Sequence, residues 1–205
     1  MRRVFPLCVI AAALLPAPPG ATGATHEVGA NGNVVTGGLS FTPPQLEANV
    51  GDVVRWTNTD ALVPHTATED HGLWDLTGTY GATPLNPPGF GPGETRERAF
   101  EAGTFSYFCE VHPVQMKGTV SVQPKVARTG SRAHPRLRVK WSTAAPTEGQ
   151  VFDVQRRSAG KWRTVRAATT KSGAAFPGAH GRFRVRLRSA ADPSAASGYS
   201  PVVAR

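Results

Sequence analysis

The chain has 205 residues, 40% of them hydrophobic, which is enough length for one large or two small domains and enough apolar content to bury a core. Its formal net charge of +9 conceals a split: Thr25 to Pro124 holds four Lys/Arg against eleven Asp/Glu, a net of −7, and Lys125 to Arg205 holds seventeen against three, a net of +14. That asymmetry implies two units with different surfaces, and the absence of any long stretch with apolar residues at helical spacing argues against a helical protein.

Residues 1–24 read as an export signal. Arg2 and Arg3 give the positive start, an apolar run from Val4 to Leu15 follows, and small residues precede a cleavage site after Ala24. The run is shorter than the ~20 residues that a membrane span needs. Cys8 lies inside the run, which argues against a lipoprotein anchor, and Arg2-Arg3 with Phe5 matches a twin-arginine signal only in part. The expected product is secreted and soluble, with Cys109 as its single cysteine. That thiol has no internal disulfide partner, so it is buried and inert, paired with another molecule, or bound to a metal.

From residue 25 to 124, β-branched and aromatic runs recur between turn signals: Val28 to Thr36, Leu39 to Phe41, Val53 to Asn58, His65 to Thr68, Thr95 to Phe100, Thr104 to Cys109 and Thr119 to Val122. The expected fold class is all-β, with a β-sandwich here. Glu69 to Gly93, with His71, Trp74 and Tyr80, is less regular and reads as a long loop with a short turn of helix. Residues 125–135 are polar and basic and read as a linker, with room for a first edge strand. In 136–205 apolar positions alternate with basic ones, as in Arg136 to Lys140 and Arg182 to Arg188. This is the pattern of half-buried antiparallel strands.

Cys109, His112 and Met116 place a thiolate, an imidazole and a thioether within eight residues, on one turn between two strands. A tight loop can aim three side chains at one point, which a straight strand cannot. Two His and one Cys with a weak axial Met is the ligand set of a copper electron-transfer site. The second His must come from elsewhere, and His65 in Val63-Pro64-His65-Thr66 is the best candidate. A structural zinc site rarely uses Met. A binuclear copper site needs two cysteines, and a multicopper oxidase flanks its cysteine with His, where this chain has Phe108 and Glu110. Phe105 and Phe108 are expected to help exclude water. His71 reads as a loop residue, His134 and His180 as surface residues, and Trp56 and Trp141 as core. His26 would form an amino-terminal Cu(II) chelate only if cleavage fell after Gly23.

Gly51-Asp52-Val53-Val54-Arg55-Trp56-Thr57-Asn58, Pro64-His65-Thr66, Gly93-Glu94-Thr95, Gly103 to Cys109, His112-Pro113 and Met116 to Val120, in that order, resemble the cupredoxin family in its plastocyanin, pseudoazurin and amicyanin branch. The resemblance covers about half the chain. It implies a Greek-key β-sandwich and one type 1-like copper ion, with His65, Cys109 and His112 as equatorial ligands and Met116 as the axial one. His112 would be the partly exposed ligand through which electrons pass. Three residues separate His112 from Met116, against four in plastocyanin and two in amicyanin, so potential and colour are open. Thr66 stands where plastocyanins and azurins have Asn beside the first ligand.

The second unit, through Trp141, Phe152 to Arg157, Trp162, Gly181 to Arg188 and Ser197 to Pro201, resembles a fibronectin type III domain, which implies a binding or spacer module without chemistry of its own. The reading is therefore an exported one-electron carrier rather than an enzyme, with a redox partner protein that the sequence does not name. The alternatives are a copper-binding or delivery protein without redox shuttling, and an extracellular adhesion module with a structural metal. The basic unit could meet an anionic cell wall or membrane or an acidic partner, or dock on its acidic neighbour. Export makes nucleic acid an unexpected partner.

Overall fold

The computed structural model describes residues 23–33, 37–77 and 89–205. Residues 1–22 of the export-signal reading, Cys8 among them, lie outside the described residues, as does Tyr80. The described residues carry only strands: β1 (Thr25–Asn33), β2 (Gly37–Thr42), β3 (Gln45–Asn49), β4 (Val53–Asn58), β5 (Thr68–Glu69), β6 (Thr95–Ala99), β7 (Gly103–Phe108) and β8 (Lys117–Gln123), then β9 (Lys125–Gly130), β10 (Pro135–Lys140), β11 (Gln150–Ser158), β12 (Lys161–Thr169), β13 (Gly173–Pro177), β14 (Arg182–Ser189) and β15 (Val203–Ala204). The turn of helix expected between Glu69 and Gly93 is absent from the described part of that stretch, where Leu73 and Trp74 instead bury against the core.

The first eight strands form two four-stranded sheets, in the orders β2-β1-β4-β6 and β3-β8-β7-β5. β1 pairs with β4, and β3 with β8, in parallel. Parallel neighbours need crossover connections, so the chain passes between sheets as a Greek-key sandwich does. The period-2 pattern decides which side chains face inward. In β7, Gly103, Phe105 and Tyr107 are buried, and Cys109 continues the same side. Phe108, on the alternate side, is only half-buried, so it is Tyr107 with Phe105 that shields the interior beneath Cys109. Tyr107, Trp56, Trp74 and Phe100 pack ring on ring, with Trp56 and Tyr107 edge to face at 5.6 Å between centroids.

The remaining strands form a three-stranded sheet, β13-β10-β9, and a four-stranded one, β12-β11-β14-β15. The basic segment 125–130 is a full partner of β10, from Lys125↔Lys140 to Gly130↔Pro135. Its side chains are mostly exposed, which left no apolar alternation for the sequence to display. Between these sheets lie Leu137, Val139, Trp141, Phe152, Val154, Phe176, Phe183, Val185 and Leu187. The two pairs of sheets are joined by backbone. Thr104 and Gly198 exchange N–H···O bonds of 3.0 and 2.8 Å, and the Ala102 N–H donates to Trp141 O at 2.8 Å. The Gln150 side chain donates to Leu73 O at 2.6 Å.

Gly118 pairs with Tyr107 across the β7–β8 ladder, and a Cβ there would stand 2.3 Å from the Tyr107 ring. Gly118→Ala is expected to displace that ring and destabilise the protein by about 1–3 kcal/mol. Equilibrium denaturant unfolding measures this.

Candidate metal centre

Two loops at one end of the first sandwich build the site. One follows β4. Asn58, 1% exposed, donates through Nδ2 to Val63 O and Phe90 O, and its Oδ1 accepts the Asp60 N–H. Asp60 Oδ1 in turn accepts the Leu62 and Val63 N–H groups. This turn delivers His65, whose backbone exchanges two hydrogen bonds with Phe90. Gly89 permits that approach, because a Cβ there would lie 2.7 Å from His65 O.

The other loop joins β7 to β8. The last ladder pair is Phe108↔Lys117, and the ladder is then extended by the Cys109 N–H donating to Met116 O at 3.1 Å. Inside that bond, the His112 N–H donates to Cys109 O and the Met116 N–H to His112 O, both at 3.0 Å. Three main-chain bonds thus close the eight-residue loop and fix the backbone from which its side chains project.

The loops meet through Thr66. Its N–H donates to Cys109 Sγ at 3.4 Å and its hydroxyl accepts the Glu110 N–H at 2.7 Å. Cys109 Sγ lies 3.8 Å from His65 Nδ1 and 3.7 Å from His112 Nδ1. Ligand atoms of His65, Cys109 and His112 all fall within 4.8 Å of one another. Cys109, His65 and Met116 are each fully buried, while His112 is half-buried. The main chain of Met116 lies directly against Cys109, and its side chain belongs to the buried core.

The other histidines stand apart. His71 is exposed and held by Glu69, His26 pairs with Asp52 at 3.1 Å, and His134 and His180 are exposed. Nothing in the motif spacing singled out Asp60. The structure buries it, with Oδ2 3.7 Å from His65 Nε2. A carboxylate two residues past the end of β4 was the available signal.

The donor chemistry fits copper. One soft thiolate and two imidazoles suit a metal that cycles between Cu(I) and Cu(II), and the same loop carries the thioether of Met116. Burial pushes His65 down to about 4, aided by the neighbouring His112, with Asp60 opposing, and burial also lowers His112. Both rings therefore resist protonation in mild acid and keep their ligating lone pairs.

Comparison with known proteins agrees with this geometry. Residues 28–123 match the family described as copper binding proteins, plastocyanin/azurin family. A plastocyanin from Scenedesmus fuscus is 35% identical over 92 residues, which is 43% of this chain and 91% of that protein. The chain belongs to the plastocyanin/azurin family. Amicyanin from Paracoccus denitrificans is a second relative of this family member, 32% identical over 90 residues, 42% of this chain and 60% of that one. Among solved structures, a purple cupredoxin from Nitrosopumilus maritimus is 32% identical, with a TM-score of 0.35, over 47% of this chain and 98% of that one. The family binds one copper, and the His65, Cys109 and His112 cluster fits a type 1 site.

The lowered His65 value has a consequence for the metal-free protein. Between about 6.5 and about 4 the unfolded chain takes up a proton that the folded chain refuses, so stability falls as pH falls through that window. Unfolding of the apo-protein from pH 7 to pH 4 should show this slope, and His65→Gln should reduce it, leaving the part that His112 contributes.

Proposed function

We propose that this copper-binding protein is an exported one-electron carrier, with its metal held by His65, Cys109, His112 and Met116. The carrying observation is the convergence of one buried thiolate and two imidazole Nδ1 atoms on a single point between two pinned loops. When bound, copper supplies a reversible one-electron couple. The chain's own part is to hold the donors still, so that little rearrangement accompanies electron gain or loss. Thr66 orients the Cys109 sulfur, and the hydrogen-bonded Phe90 fixes the backbone of His65. Tyr107, Phe105 and Trp56 exclude water from below.

His112, half-buried, is the route to the surface. Among the described residues three large hydrophobics are exposed, and two of them, Leu62 and Val114, sit on the loops that carry His65 and His112. They form an apolar rim suited to brief docking of a redox partner protein. Among the described residues no helix is long and apolar enough to cross a membrane.

Residues 25–124 are read as the copper domain and 136–205 as a fibronectin type III-like module. The module's alternating arginines, Arg182, Arg184, Arg186 and Arg188, suit an anionic cell-wall or membrane surface. Arg184 lies over both Trp162 and Tyr199, at 4.4 and 4.2 Å, while Asp153 engages Arg186 and Arg188. Binding of the full chain to an anionic cell-wall polymer should weaken steeply as salt is raised.

Adding Cu(II) to the apo-protein tests the main reading. An intense blue or green thiolate charge-transfer band is expected. Cys109→Ser should abolish it and His71→Ala should leave it intact. Fast reversible voltammetry is expected of a carrier, whereas ready loss of copper to a chelator would indicate delivery instead.

A further inference from the structure

Two buried polar atoms face each other behind the metal centre, and neither has a hydrogen-bond partner among the described residues. One is Asp60 Oδ2 and the other is His65 Nε2. They are 3.7 Å apart, with the side chains 4% and 0% exposed. A buried carboxylate oxygen without a donor is costly, and so is a buried imidazole nitrogen without a partner. The turn does not explain the arrangement, because Asp60 Oδ1 alone accepts its two N–H groups. Oδ2 is left over and aimed at the ring.

The other face of the ring gives this arrangement its meaning. His65 Nδ1 points to Cys109 Sγ. A neutral imidazole that uses Nδ1 as a lone-pair donor must carry its proton on Nε2. That proton then points at Asp60. About 0.9 Å of movement would bring the pair to the ~2.8 Å of a charge-assisted hydrogen bond. His112 has no corresponding carboxylate bond among the described residues, so the two imidazoles differ in electronic environment as well as in exposure.

We propose that Asp60 is a positioning residue for the metal: its buried carboxylate accepts the Nε2–H of His65, locks the tautomer that frees Nδ1 for ligation, and favours Cu(II) over Cu(I). The inference rests on the reading of His65 as a ligand. The fixed tautomer contributes affinity for any divalent ion. The negative charge, in a site closed to water, stabilises the more positive oxidation state of copper and lowers the potential.

Asp60→Asn separates this role from the turn, because the amide keeps an acceptor for Leu62 and Val63 and loses the charge. We expect Zn(II) affinity, read by chelator competition, to fall about 10- to 100-fold. We expect the ratio of Cu(II) to Cu(I) affinity to fall about tenfold, which is a rise in potential of about 59 mV for one electron. Asp60→Glu should recover most of both. In the wild-type apo-protein, nitrogen NMR should find the His65 proton on Nε2. A His65 proton on Nδ1 would overturn the proposal, and so would unchanged Zn(II) affinity and potential in an Asp60→Asn variant that keeps its charge-transfer band. Failure of the wild-type protein to develop that band would instead overturn the ligand assignment. If Asp60→Asn does not fold, the wild-type tautomer decides.

Discussion

The site depends on the register of β7 and β8. Phe108 faces Lys117, and the next pairing, the Cys109 N–H to Met116 O, closes the ladder with the metal-binding loop beyond it. Shifting that register by one residue would turn Cys109 outward and Phe108 inward. Tyr107 on Gly118 works against such a slip, because only a glycine leaves room for the ring there. The packing of Tyr107 against Phe41, Trp56 and Trp74 then ties the thiol's position to the first sandwich's core. A large, well-packed cluster thus fixes one sulfur atom, and Thr66 brings the second loop to it.

The rest of the chain is arranged around keeping that end open. The main-chain bonds between the two pairs of sheets fall at Ala102 and Thr104, at the start of β7, with Gln150 adding a side-chain bond to Leu73, whereas Cys109 follows the end of β7. Five residues of extended strand separate Thr104 from Cys109, about 17 Å. The basic strands are therefore attached without covering His112. Their charge lies on the far unit, and the acidic residues lie on the metal-bearing one.

The parts of this arrangement that were legible in the sequence were the local ones. Cys109, His112 and Met116 are spaced within a single turn, so their convergence needed no long-range contact. Val53–Asn58 showed its strand in full because Val53, Val54, Trp56 and Thr57 are β-branched or aromatic and Val54, Trp56 and Asn58 share one buried face. β3 went unread because Gln45–Asn49 is polar and only Ala48 is buried, its place being set by parallel pairing with β8. β9 was read only as room for an edge strand within a linker, because its side chains are mostly exposed and show no apolar alternation. His65 rested on the family pattern more than on spacing, since forty-four residues separate it from Cys109. Thr66 was noticed as a departure, but its double grip on Cys109 and Glu110 depends on the fold. Asp60 was missed because its partner is a ring nitrogen whose direction only the tertiary structure sets.

The central claim is that the protein presents a ready-made ligand set to which copper adds itself. A crystal structure of the copper-loaded full chain, with the metal located by anomalous scattering at the copper edge, tests it most directly. The account predicts one copper atom bonded to Cys109 Sγ and to Nδ1 of His65 and His112, with the Met116 sulfur beside it and the two loops unmoved. Copper bound at His26 or His71, or coordination through Nε2 with the 109–116 loop rebuilt, would contradict it.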